Sequence, residues 1–191
     1  MRPDGLRSSS VAPLPPGEID RVLDSVAAFT RQLFARTADV FMDAAGDPAQ
    51  ALHEALDSLL RDLAAAPEMT YMSTVELPRL GPLVRDRHRR MLDLFSDFLQ
   101  PGLAARGVTL SNPEIVSLCL TGAVWRIVRQ HAIEQRLQQL PEALPAISYV
   151  CLSTLFDPTE ALRVTGRSED HDYIHRIGER HDAVIARPEE Q

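Results

Sequence analysis

The sequence predicts an all-α fold. Apolar residues recur at spacings of three and four along most of the chain, and Gly and Pro punctuate those runs at helix-length intervals. No alternating strand pattern of useful length appears. At 191 residues with 45% hydrophobic and 25% charged content, the chain has the size and apolar content of one domain with a true core. Aromatic residues make up only 5%, so Leu, Ala, Val and Ile must fill that core.

Residues 1–17 hold three consecutive serines and several prolines and read as a flexible lead-in. A first helix is predicted from Glu18 to about Ala45, with Val22, Val26, Phe29, Leu33, Thr37 and Val40 as its stripe and Leu23, Phe34 and Phe41 widening it. Gly46 stops it. Asp47-Pro48 then supplies an N-cap and a first-turn proline for a helix over 48–65, which carries Leu52, Leu56, Leu59, Leu60 and Leu63. Pro67 ends that helix. A short piece follows over 68–76, then a long amphipathic helix over 83–99. Ser111 reads as the next N-cap, with Pro113 and Glu114 in the first turn of a helix reaching about Gln138. A last core helix spans roughly 142–156 and is stopped by Asp157-Pro158. Residues 158–191 form a charged tail with room for one weak helix near 168–186.

The helix over 111–138 is apolar on more than one side. Val116, Leu120, Ala123, Val124 and Ile127 make one face, and Ile115, Leu118, Cys119, Gly122 and Trp125 extend it around the cylinder. A surface helix of a monomer needs one such stripe. The 142–156 helix is similarly short of polar surface. Pairing both helices with the same two of a second copy covers the surplus, giving a four-helix dimer interface about a two-fold axis. Ile115, Cys119, Gly122, Ala123, Arg126 and Ile133 from the first helix, and Ile147, Val150 and Cys151 from the second, are its expected contacts. The alternative is that a larger monomeric core sandwiches both helices.

Three places carry a resemblance to a known family. Pro15-Pro16-Gly17-Glu18-Ile19 resembles the string that starts the long connecting helix after the DNA-recognition module of TetR-family regulators. Gly46-Asp47-Pro48 with Ala51-Leu52 is similar to that family's frequent opening of the following helix. Leu120-Thr121-Gly122-Ala123-Val124-Trp125-Arg126 through Ile133, then Leu140-Pro141-Glu142, resembles its two dimerisation helices. The resemblance covers residues 18–157 and implies the family's C-terminal regulatory domain: an antiparallel helix bundle that dimerises and encloses a small, apolar effector. The family's helix-turn-helix module has no counterpart ahead of Glu18, so direct operator binding is not expected.

The resemblance places an effector between the first helix and the 83–99 helix. Phe29, Leu33, Met69, Met72, His88, Met91, Phe95 and Trp125 are its expected lining. Methionines adapt to irregular apolar shapes. His88 shares a face with Met91, Leu92 and Phe95, as a ligand contact or as a packing histidine paired with an acid.

Other function classes find little support. A net charge of -7, with no basic segment, weighs against nucleic-acid and anionic-membrane binding. No run of 18 or more apolar residues is present. Without a signal peptide pattern, a cytoplasmic protein with buried, reduced Cys119 and Cys151 is expected. No phosphate loop or nucleophile arrangement argues for an enzyme, and no cofactor motif is found. His171, Asp172 and His175 have metal-like spacing but no rigid frame, so a polar tail is the plainer reading. The alternative function is a stand-alone interaction module that forms homodimers or mixed dimers with full-length relatives.

Overall fold

A computed structural model of the chain describes residues 16–44, 47–79, 104 and 112–166. Helix α1 runs over Pro16–Asp43, α2 over Pro48–Ala65 and α3 over Pro67–Tyr71. A turn of wider π-helix, Met72–Glu76, and a 3-10 turn, Leu77–Arg79, continue α3. Helix α4 is Pro113–Ile133. A 3-10 segment over Leu137–Ala143 leads into α5, Leu144–Leu155, and α6 follows over Pro158–Thr165. The predicted 83–99 and 168–186 helices lie outside the described residues.

The hub is α2. It packs on α1, α3, α5, α6 and the 3-10 segment, so its Leu52, Leu56, Leu59, Leu60 and Leu63 are all buried. Helix α1 meets it through Leu33, Phe34 and Phe41, within a main core that also takes Leu120, Val124, Val128, Leu152 and Leu155. A second, small cluster joins the first half of α1 to the segment after α2, through Leu23, Val26 and Leu77. Three side-chain links orient the helices. His53 Nδ1 of α2 lies 2.8 Å from Ser148 Oγ of α5. Arg36 Nε of α1 lies 3.2 Å from an Asp62 oxygen of α2. Thr70 Oγ1 donates to the Leu63 carbonyl at 2.8 Å, tying α3 to the end of α2.

The π-helical turn coincides with a set of buried hydroxyls. Widening the helix changes its carbonyl pairing, and buried hydroxyls serve the Thr70 carbonyl. Ser73 Oγ and Thr74 Oγ1 both donate to it, at 3.0 and 2.7 Å. Buried Thr30 and Thr37 of α1 do the same locally, donating to the Val26 and Leu33 carbonyls.

Four boundaries differ from expectation. Helix α1 spans Pro16–Asp43, rather than Glu18 to Ala45. Helix α4 starts at Pro113 after Asn112, whose side chain makes no capping hydrogen bond, which places Glu114 second in the helix rather than third; Ser111 lies outside the described residues. It stops at Ile133 instead of Gln138, for a reason given below. Asp157-Pro158 not only stops α5 but also starts α6, Asp157 Oδ1 accepting from the Glu160 N–H at 3.0 Å. Ala161 of α6 is fully buried in the main core, so the packed body extends past 157. Gly166 closes α6 at φ 64°, a left-handed position that favours glycine.

Asp47 couples the two Asp-Pro caps. Its Oδ1 accepts from the Gln50 N–H at 2.8 Å, and its Oδ2 lies 2.6 Å from Arg163 of α6. The Gln50 bond foremost, with Arg163 adding, holds its carboxyl below the usual range against partial desolvation. A depressed carboxylate stabilises the fold above its unfolded pKa and loses that effect as pH falls through the folded value. Asp47→Ala should therefore cost about 1 kcal/mol at neutral pH. Asp47→Asn should keep the cap, and its difference from the native chain should fade as pH falls through the folded pKa of Asp47, which lies below the ordinary carboxylate value. Urea denaturation of the three chains across pH checks both.

Candidate functional site

Helix α4 has two opposed faces. Ser117, Leu120, Thr121, Val124, Val128 and Ala132 are buried by the chain itself. On the other side, Ile115, Leu118, Cys119, Gly122, Arg126, Arg129 and Ile133 are exposed, as is neighbouring Ala123. Ile115 and Leu118 are each 64% exposed and Ile133 44%. The stripe from Ile115 to Ile133 is about 27 Å long at the helical rise. Gly122 lies in its middle, where an added Cβ would meet nothing within 4 Å. A mid-helix glycine costs about 1 kcal/mol relative to Ala, and no close packing within the described residues accounts for it.

The expected interface residues divide on this geometry. Ile115, Cys119, Gly122, Ala123, Arg126 and Ile133 share the exposed side of α4, and Val150 is exposed on α5. Ile147 and Cys151 do not join them: α5 turns both into the chain's own core. Burial pushes the Cys151 thiol up to about 12, so it stays protonated. Cys119, expected to be buried, is exposed. Both cysteines are free thiols.

Of the expected effector lining, the described members Phe29, Leu33, Met69, Met72 and Trp125 lie in different parts of the packing. Leu33 is buried in the main core with Phe29 packed against it, whereas Met69 and Met72 pack on the smaller Leu23–Val26–Leu77 cluster. Trp125 is half-buried on α4. His88, Met91 and Phe95 lie outside the described residues.

A different cleft is present, of about 400 Å³, between α3 and the turn after α4. Pro67, Glu68, Tyr71 and Met72 form one wall. Glu68, Tyr71 and Met72 stand three and four residues apart and so share a helix face. Ala132, Gln135, Leu137 and Gln138 form the other. Of these residues only Met72 was anticipated.

The second wall is shaped by how α4 ends. The Arg136 N–H reaches back to the His131 carbonyl at 2.8 Å, and the Gln135 N–H to that of Ala132 at 3.1 Å. This paired closure requires a left-handed residue at the position usually held by glycine. Gln135 occupies it at φ 56°. The closure ends the helix before Gln138 and turns the chain back, so that Leu137 and Gln138 face α3 across the cleft. Nearby, Glu134 is paired with Arg136. Glu68 is exposed and has no ion-pair partner among the described residues.

The described residues hold no group of three or more His, Cys, Asp and Glu able to bind a metal ion; His171, Asp172 and His175 lie outside them. Compared with protein-family models, curated proteins and solved structures, the chain matches none. What the geometry establishes is an all-α bundle, with six α-helices among the described residues and none of them long and apolar enough to cross a membrane.

Proposed function

We propose that this chain is a dimerising, effector-sensing domain of the TetR-like kind, acting through contacts with a second copy and a small ligand rather than through catalysis. The exposed stripe of α4 carries this reading. Ile115, Leu118 and Ile133 place three large aliphatic side chains on the helix face opposite the core. Isolated exposed apolar residues are ordinary, whereas an aligned set is characteristic of an interface.

The stripe also suits self-association. In an antiparallel pair of α4 helices crossing at Gly122, Leu118 of one copy faces Arg126 of the other. Ile115 of the first copy then faces Arg129 of the other, whose guanidinium comes near Glu114 of the first copy. Gly122 and Ala123 let the backbones approach closely at the crossing point.

Native mass spectrometry of the chain tests the reading: twice the chain mass is expected, and a monomer at micromolar concentration overturns it. Gly122→Ala sharpens the test. It should stabilise the isolated helix by about 1 kcal/mol while raising the dimer dissociation constant, so dilution separates the two effects. Exchange into the dimer of a full-length TetR-like protein would favour a mixed-dimer module, the second use of the same face.

A further inference from the structure

We propose that the cleft between α3 and the turn after α4 binds a small amphipathic organic cation, with its apolar body on Met72 and Leu137 and its ammonium group at Glu68. The inference names a ligand class for the sensing role proposed above and rests on that reading for its biological use. Binding itself requires no dimer.

The volume, about 400 Å³, falls within the range of small-molecule clefts. Met72 and Leu137 provide apolar surface, the thioether adapting to varied shapes. Tyr71 adds an aromatic ring, which attracts a cation placed over its face. Glu68 carries the one formal charge among the described residues lining the cleft. Its carboxylate is not committed to an arginine there, whereas the adjacent Glu134 is paired with Arg136. The amides of Gln135 and Gln138 serve as neutral acceptors or donors beside it. An anion would meet both Glu68 and a chain of net charge -7.

Gln135 gives an independent reason to look here. Its left-handed conformation would be easier for glycine, and its Cβ serves no need of the closure, which is made by backbone groups. A side chain carried at a strained position on a cleft wall is a candidate for a role there. The π-helical turn begins at Met72, on the opposite wall. Such turns occur frequently at functional sites.

The full chain, labelled at its methionine methyl groups, should be titrated by NMR with benzyltrimethylammonium, benzyl alcohol and benzenesulfonate. Met72→Leu assigns the reporting signal. The cation is expected to shift the Met72 methyl saturably and leave that of Met42 in place. Glu68→Gln should weaken the cation about 5-fold, the scale of one exposed charge pair. Gln135→Gly should raise the urea midpoint yet weaken binding, a combination that a purely structural glutamine would not produce. Equal binding of the alcohol or the sulfonate overturns the proposal, as does a static Met72 methyl or an unchanged affinity in Glu68→Gln. A dimer that ignores the cation overturns the cleft alone. A monomer that binds it overturns the dimer alone.

Discussion

Leu118→Arg is expected to convert a dimeric chain into a monomer whose own stability, compared with that of the native chain diluted to monomer, is unchanged. The native side chain is 64% exposed on the chain by itself, so replacing it removes no core contact. In the antiparallel pairing, the new guanidinium faces Arg126 of the second copy, and two-fold symmetry imposes the clash twice. Burying one leucine stabilises by about 1.5–3 kcal/mol. Losing two at a symmetric interface therefore raises the dissociation constant at least ~100-fold, before repulsion is added. Sedimentation velocity over a dilution series reads this directly. Leu120→Arg is the counterpart: Leu120 is buried on the opposite face, and its charge should unfold the chain. An intact dimer in Leu118→Arg would remove this stripe from the interface.

The two opposed faces of α4 were legible because apolar residues there exceed what one stripe can hold. Which side the chain covers for itself was not. Ala123 reads from the sequence as part of the same face as Leu120 and Val124, yet it is exposed. Helix α5 posed the harder case. Leu144, Ile147, Val150, Cys151, Leu152 and Leu155 surround it so evenly that periodicity carries no phase information. Only packing on α2 and α6 decides that Ile147 and Cys151 turn inward and Val150 outward.

Asp-Pro dipeptides are strong local signals in this chain. Asp47-Pro48 marks the start of α2, and the same dipeptide at Asp157-Pro158 both stops α5 and starts α6. The cleft was largely hidden. Its second wall depends on a glutamine adopting a conformation that sequence reasoning reserves for glycine or asparagine. Pattern reading carried α4 through Gln138 for the same reason. The π-helical turn at Met72 has no signature in the sequence, since Thr30 and Thr37 make the same local hydroxyl bonds within a regular α-helix. What did show in the sequence was Met72 as a residue suited to an irregular apolar surface.

Leu60→Ala is expected to destabilise the fold by about 3 kcal/mol, within the 2–5 kcal/mol observed for such truncations. Leu60 is fully buried on α2, the helix in contact with α1, α3, α5, α6 and the 3-10 segment. A cavity there cannot close by moving one neighbour, because each neighbour is also fixed elsewhere: α5 by the His53–Ser148 contact, α6 by Arg163 on Asp47, α1 by Arg36 on Asp62. A chain of this size should melt about 10 °C lower. Leu60→Met, which keeps most of the volume, should cost less than about 1.5 kcal/mol. Leu118→Ala, measured on dilute monomer, should fall within about 0.5 kcal/mol of the native chain. The contrast between two leucines separates the core from the proposed interface. If truncating Leu60 proved as mild as truncating Leu118, α2 could not be the element around which the bundle is built. The outward face of α4 would then lose its meaning as well, since it is defined by the core behind it.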